Sequence, residues 1–285
     1  MDWLCVAVII RWFISNDVQH ANEGHVLSSV IDNCSRASMQ LSALKILIFI
    51  LIVDVNLVSA ETFTVVSDYW CPYNCEPSAD PEGFGIDFLR QAFEAKGIKV
   101  NYILRPWDRA LAMVESNQYH AVMSANKTDS RLLLYPESYF SRSTTCFFTS
   151  NDHAWEYNGV KSIDKIRLGV IEGYSYGSLL DAYLDAHRDS ITWVSGRNPL
   201  EQLIDKIKTG DIDVIIEDEN VFEHQAAVHK EWLSMRTGYC LPPANIYMAF
   251  APGHPDTKRY MKIYDDRMKV FLKGDIYKKI MNRYK

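Results

Sequence analysis

Apolar residues follow two alternating periodicities over most of the chain. Short runs rich in β-branched and aromatic residues, which favour strands, are separated by segments whose apolar residues recur every three or four positions, as on one helix face. In the segment 85–96, for example, Ile86, Leu89 and Phe93 share a face, and Gly97 is suited to end the helix. This pattern predicts an α/β protein with mainly parallel sheets joined by crossover helices.

Two such units follow one another along the sequence. The predicted elements of the first unit are strands at 62–66, 98–104 and 120–123 and helices at 85–96 and 107–115. Those of the second unit are strands at 166–171, 191–194 and within 210–218 and helices at 176–186 and 199–208. Two more helices are predicted after the second unit, at 257–273 and 275–284.

Two extended segments, near 140–149 and 244–250, separate these units. A chain that leaves one unit, builds a second and returns forms two lobes with two crossovers. We therefore expect a first lobe of residues 61–143 and 250–285 and a second lobe of residues 144–249. Open α/β sheets bind ligands beside the carboxyl ends of their strands, so the cleft between the lobes is the expected ligand site.

The loop 124–131 begins at such a strand end. Its small polar residues, among them Ser124 and Asn126, allow backbone N–H groups to approach a ligand closely. Arg131 offers a planar fork of donors that matches a carboxylate. This loop is therefore a candidate for binding the carboxylate of a small molecule. The alternative is a surface turn followed by a solvated arginine.

Residues 1–60 have the composition of a leader. The part 39–60 carries a basic residue, then a short apolar run, then small residues at the −3 and −1 positions before Glu61, which is typical of a cleaved secretory signal peptide. This predicts a periplasmic protein. For 1–38 two interpretations stay open: a mis-assigned start codon, or an uncleaved anchor at 3–14 that is short for a bilayer span.

Charge and cysteine content narrow the class of protein. The chain has 30 basic and 36 acidic residues and no run of Lys and Arg, so no nucleic-acid partner is expected. Four cysteines follow the leader, and an even number in an exported chain favours disulfides. They are Cys71, Cys75, Cys146 and Cys240. Three pairings are possible and stay open, and neither a metal site nor a cofactor is expected.

Six motifs occur in an order and spacing that is characteristic of one family. They are Gly83-Phe-Gly-Ile-Asp87, Pro106-Trp-Asp-Arg-Ala-Leu111, Ser124-x-Asn126-x-Thr128-x-x-Arg131, Tyr135-Pro-Glu-Ser-Tyr-Phe-Ser141, Gly169-Val-Ile-Glu-Gly173 and Gly210-x-x-Asp213-x-x-x-x-Asp218. In these motifs the chain resembles the bacterial extracellular solute-binding proteins of family 3, the amino-acid-binding components of ABC transporters. The resemblance covers residues 61–285 and implies the two-lobed type II fold of periplasmic binding proteins.

The resemblance also implies roles for polar site residues. Arg131 would form a bidentate pair with the α-carboxylate of the ligand, with added hydrogen bonds from Ser124 and Asn126. Asp218 would receive the α-ammonium group. Glu217, its neighbour in sequence, competes for that role.

Aromatic and helix-terminal residues complete the expected site. The resemblance places Trp70 and Trp107 on either side of the ligand side chain. It places Ser175 and Tyr176 at a helix N-terminus whose N–H groups face the ligand carboxylate. The expected function is capture of a small amino-acid-like ligand by a monomer that delivers it to an inner-membrane ABC permease.

Two catalytic alternatives and a sensing alternative accompany this interpretation. Gly173-Tyr-Ser-Tyr-Gly177 matches the nucleophile elbow of α/β-hydrolases, but no His-Gly-Gly-Gly cluster precedes it, so we interpret Ser175 as a binding contact. A dehydratase on the same scaffold would recruit Glu172 and Glu217 for proton transfer. A sensory input module would need a separate signalling partner. We expect a binding protein and not an enzyme.

Overall fold

A computed structural model describes residues 61–284 of the chain. The predicted leader, 1–60, lies outside the described residues, and with it the signal peptide and the alternatives for 1–38. Within 61–284, no helix is long and apolar enough to cross a membrane.

The first lobe contains a five-stranded sheet in the order β2-β1-β3-β10-β4. Its strands are β1 (Thr62–Ser67), β2 (Lys99–Leu104), β3 (Ala121–Ala125), β4 (Ser141–Ser143) and β10 (Ala244–Phe250). Strands β1, β2 and β3 are parallel, whereas β10 runs antiparallel to both of its neighbours. The helices of this lobe are α1 (Phe84–Phe93), α2 (Trp107–Glu115), α6 (Thr257–Phe271) and α7 (Asp275–Met281).

The second lobe repeats this plan with the order β7-β6-β8-β5-β9. Its strands are β5 (Thr145–Ser150), β6 (Leu168–Ile171), β7 (Thr192–Val194), β8 (Val214–Asp218) and β9 (Met235–Cys240). Strand β6 is parallel to β7 and β8, whereas β5 is antiparallel to β8 and β9. The helices are α3 (Ser178–Ala186), α4 (Pro199–Lys208) and α5 (Glu219–Val228).

The two-lobed α/β fold is as predicted, with one correction to the sheets. Each sheet has two parallel and two antiparallel strand pairs, so it is mixed and not mainly parallel. The antiparallel pairs come from the strands at the two crossovers.

The chain changes sheets at Thr144 and again at 241–243, so β10 lies wholly in the first sheet, although the sequence assigned 244–249 to the second lobe.

Apolar packing fixes the strand that carries the acidic candidates. Every residue of β8 is buried, and Val214, Ile215 and Ile216 are completely enclosed between strands and helices. A strand buried on both faces reads as a continuous apolar run, as this one does. The same burial extends to Glu217 and Asp218 at its carboxyl end, which are 2% and 3% exposed.

Two disulfides join the four cysteines. Cys71 pairs with Cys75, and Cys146 pairs with Cys240. The second bond connects β5 to β9 at positions that lie directly opposite each other in the strand register. The structure thus selects one of the three pairings that the sequence left open.

Candidate functional site

A cavity of about 320 Å³ lies between the two lobes. Residues at or just after the carboxyl ends of β1, β3 and β8 line it, which is where open α/β sheets place ligands. Its polar and aromatic wall residues include Asp68, Trp70, Trp107, Ser124, Asn126, Asp129, Ser143, Thr145, Tyr157, Tyr174, Ser175, Tyr176, Glu217 and Asp218. The cavity volume is at the small end of the range for ligand pockets, so it suits a small solute.

Glu217 joins the two lobes, and only one of its two carboxyl oxygens accepts hydrogen bonds from the described residues. Its Oε1 accepts hydrogen bonds from the indole Nε1 of Trp70 (2.8 Å) and from the backbone N–H of Asp218 (2.7 Å). Its Oε2 is buried and accepts no hydrogen bond from any residue in the described part of the chain. Burial raises the pKa of Glu217 to about 8, because the charged form loses its hydration.

Both carboxyl oxygens of Asp218 accept hydrogen bonds from other groups of the protein. Its Oδ2 accepts hydrogen bonds from Ser143 Oγ (2.8 Å), the Thr144 backbone N–H (2.9 Å) and Tyr73 Oη (3.3 Å). Its Oδ1 accepts one from the backbone N–H of Val221 (3.1 Å) and so caps helix α5. Burial raises its pKa to about 6, and these hydrogen bonds oppose the rise. Most of the acceptor capacity of Asp218 is therefore already used.

Asp68 and Tyr174 connect the end of β1 to the second lobe. The phenol of Tyr174 donates a hydrogen bond to Oδ2 of Asp68. Asp68 is buried, and this burial raises its pKa to about 6. Asp68 is not among the site residues expected from the sequence, and the signal that marks it is its position directly after a buried strand.

Asp129 makes a similar link from the loop after β3. Its carboxylate accepts hydrogen bonds from the backbone N–H groups of Asn126 (2.6 Å) and Ser175. The residue is half-buried, and the burial of its carboxyl group raises the pKa to about 8. Thr128 Oγ1 and Ser175 Oγ also lie 2.6 Å apart, so the loop is joined to the second lobe at two points.

The N-terminus of α3 donates to acidic side chains of the protein. Asp181, in the first turn of the helix, accepts hydrogen bonds from the backbone N–H of Tyr176 (2.7 Å) and from Ser175 Oγ (2.6 Å). The N–H of Gly177 points to Ser175 Oγ (3.4 Å). The helix N-terminus was expected to hold a ligand carboxylate, but here Asp129 and Asp181 occupy its donors.

Aromatic rings form the remaining wall. Trp70 stacks on Tyr73 with ring centroids 4.3 Å apart. Trp107 is 6% exposed and meets the ring of Tyr174 edge-on at 6.1 Å. Both tryptophans that the resemblance placed in the site therefore line the cavity.

The structure brings seven of the eight predicted site residues to the cavity. They are Trp70, Trp107, Ser124, Asn126, Ser175, Tyr176 and Asp218. Arg131 is exposed and is not among the lining residues, so its expected carboxylate pair has no support in this geometry. Instead Asp129, two residues earlier in the same motif, reaches the wall. Sequence analysis gave Asp129, Tyr174 and Tyr157 no role.

The cavity contains the full set of residues for neither the hydrolase nor the dehydratase alternative. Glu172 forms an ion pair with Arg188 (2.6 Å) and is not among the lining residues. No histidine is among the residues that line the cavity, so Ser175 lacks there the histidine base that a nucleophile elbow requires. In the described residues, the one compact group of potential metal ligands contains Cys146 and Cys240, whose thiols are joined in a disulfide.

Comparison with known proteins agrees with this architecture. Residues 63–164 match the family model of bacterial extracellular solute-binding proteins, family 3. No curated protein sequence matches the chain. Solved structures share the fold at low sequence identity.

A histidine kinase sensor domain similar to periplasmic binding proteins has a TM-score of 0.64 at 12% identity, over 78% of this chain and 95% of its own. An ancestral arginine-binding protein bound to arginine has a TM-score of 0.64 at 13% identity, over 78% and 97%. A structure from work on glutathione import through GshT and the cystine ABC importer of Streptococcus mutans has a TM-score of 0.64 at 18% identity, over 79% and 94%. The resemblance to the bacterial extracellular solute-binding proteins of family 3 is thereby confirmed, and the described residues have the fold of the two-lobed periplasmic binding proteins.

Proposed function

We propose that the chain captures a small, amine-bearing solute of amino-acid size in the cavity between its lobes and delivers it to a membrane permease. The observation that carries this proposal is the cavity itself, because carboxyl groups and aromatic rings from both lobes converge on it. Carboxylates bind ammonium groups through charge-assisted hydrogen bonds, and aromatic faces cover apolar stems or attract cations.

Interlobe hydrogen bonds give the proposal a mechanism. Trp70 bonds Glu217, Tyr174 bonds Asp68, and Thr128 bonds Ser175 across the cavity. These contacts hold the lobes closed around the space. A solute that adds contacts to both walls would favour this closed form over an open one, which is the form that a permease would recognise.

Binding is tested by thermal unfolding of the full-length protein with a panel of amino acids, amines and small carboxylates. A ligand at about 100 times its dissociation constant adds about 2.7 kcal/mol of stability, which is a readily measured shift. Trp70→Leu removes a wall of the cavity and should weaken binding of any hit at least tenfold. The matched control is Trp193→Leu, because Trp193 is not among the lining residues and packs on Arg188.

Delivery requires a second measurement. Uptake of the identified solute by cells that lack this protein should fall, and the intact gene should restore it while the Trp70→Leu variant should not. Normal uptake without the protein would contradict the transport role and leave only binding.

A further inference from the structure

The charges around the cavity are all of one sign. Four carboxyl groups line it, those of Asp68, Asp129, Glu217 and Asp218. The lining residues include no lysine, arginine or histidine. A ligand that carries a carboxylate would therefore enter a wall of acids without a cationic partner, and the desolvation of that carboxylate would be poorly offset.

The backbone donors that would hold an anion are already engaged. The N–H groups of Ser175 and Tyr176 bond the carboxylates of Asp129 and Asp181. Asp129 thus stands where a ligand carboxylate would otherwise accept a hydrogen bond from the N-terminus of α3. Ser124, expected to help bind the carboxylate, donates its hydroxyl to Asn74 Oδ1 (2.8 Å) instead.

One carboxyl oxygen of a lining residue has no hydrogen-bond donor among the described residues. Oε2 of Glu217 is buried without a hydrogen bond to any described residue, although Glu217 lines the cavity and is 2% exposed. A buried acceptor without a hydrogen-bond partner destabilises the protein, and more so if it is charged. A ligand N–H group would supply the missing partner, and a positive charge would also favour the ionised carboxylate.

The aromatic wall is suited to the same chemistry. The indole of Trp70 donates a hydrogen bond to Glu217, and Trp107 and Tyr174, which meet edge-on, also line the cavity. Electron-rich ring faces attract ammonium and guanidinium groups once these groups leave water. Acids and rings together form a site for a cation.

We infer that the solute is a small organic cation, an amine or guanidine that carries no carboxylate, and that Glu217 is its principal anionic contact. This inference rests on the proposed function, since it names the class of solute for the same cavity. It replaces the zwitterion expected from the resemblance, whose carboxylate partner, Arg131, is exposed and not among the lining residues.

The test compares ligands that differ only by the carboxylate. Calorimetric titration of the full-length protein would use arginine against agmatine and lysine against cadaverine, each pair being an amino acid and its decarboxylated form. At least one amine should bind at least about tenfold more tightly than its parent amino acid, because the carboxylate of the amino acid loses its hydration without gaining a cationic partner in the cavity. Tighter binding of the amino acids would overturn the inference but leave the binding function standing.

A matched pair of variants tests the role of Glu217. Glu217→Gln keeps the size of the side chain and removes its charge, so it should weaken binding of the preferred amine at least about tenfold. Glu223→Gln makes the same change at an exposed position on α5 and should leave affinity unchanged. Equal affinity of the Glu217→Gln variant and the wild type would overturn the assignment of that contact. Binding of neither amines nor amino acids would count against the proposed function itself.

Discussion

The indole Nε1 of Trp70 donates a 2.8 Å hydrogen bond to Oε1 of Glu217, joining residues 147 positions apart in the sequence and on different lobes. Trp70 follows β1 in the first lobe, and Glu217 lies near the end of β8 in the second. One oxygen of the carboxylate thus joins the two lobes, whereas the other, Oε2, is buried without a hydrogen bond to any described residue. Glu217 therefore both joins the two lobes and lines the cavity of the proposed site.

The ligand-free protein should lose stability as the pH rises. Burial raises the pKa of both Glu217 and Asp129 to about 8, far above the value near 4 of a carboxyl group in an unfolded chain. A group whose pKa is raised in the folded state contributes stability that is present below its unfolded pKa and lost as the pH rises through its folded pKa. Thermal unfolding should therefore show a lower melting temperature at pH 9 than at pH 5.

Neighbouring carboxylates raise the pKa values of Glu217 and Asp129 further. When ionised, Asp218 and Asp68 raise the pKa of Glu217. Asp181 and Asp68 do the same to Asp129. The Glu217→Gln variant should show a smaller loss of melting temperature between pH 5 and pH 9 than the wild type. An equally steep loss in the variant would exclude Glu217 as a source of the dependence.

Cation binding should have the opposite dependence on pH. A carboxylate attracts an ammonium group only when it is ionised, and burial holds the pKa of Glu217 at about 8 in the free protein. Affinity for an amine that stays protonated should therefore increase between pH 6 and pH 9, and binding at pH 7 should release protons. Titrations in buffers of different ionisation enthalpy would count those protons. A heat of binding that does not depend on the buffer would contradict the expectation.

Removing the hydroxyl of Tyr174 should destabilise the fold. Tyr174→Phe leaves the buried carboxyl of Asp68 without its interlobe donor, a loss of about 1–3 kcal/mol in the free energy of unfolding. Tyr183→Phe is the matched control, because its phenol bonds Asp164 at an exposed position and its loss should cost less than about 0.5 kcal/mol. Urea denaturation measures the free energy of unfolding of both variants. Equal losses would show that the Tyr174–Asp68 hydrogen bond stabilises the fold no more than the exposed Tyr183–Asp164 hydrogen bond does.

The two disulfides should contribute unequally to stability. Cys146 and Cys240 are 94 residues apart, whereas Cys71 and Cys75 are four apart. In the chain-entropy model, removing the Cys146–Cys240 bond lowers the free energy of unfolding by about 4–5 kcal/mol, and removing the Cys71–Cys75 bond lowers it by about 2 kcal/mol. Paired alanine substitutions at each bond, compared by denaturant unfolding, check this order. A larger loss from the Cys71 and Cys75 pair would contradict the entropic account.

Elements with strong local signals could be predicted from the sequence. The buried run of β8 and the amphipathic face of α1 were found because apolar spacing reports which face is covered. Strand β9 was missed, because its sequence Met-Arg-Thr-Gly-Tyr-Cys is polar and each of its residues is exposed or half-buried. An edge strand of this kind owes its structure to its pairing with β5, which is a tertiary interaction.

Local sequence patterns are enough to predict the two α/β units, the family resemblance and the strand ends near which site residues occur. Which side chains line the cavity depends on the folded arrangement of both lobes. Asp129 and Arg131 stand two residues apart in one loop, and the carboxylate reaches the wall because the N–H of Ser175, from the other lobe, binds it. Local sequence encodes which residues can form a strand or a turn. The sign of charge inside the cleft depends on contacts between residues far apart in the chain, and these exist only once both lobes have folded and met.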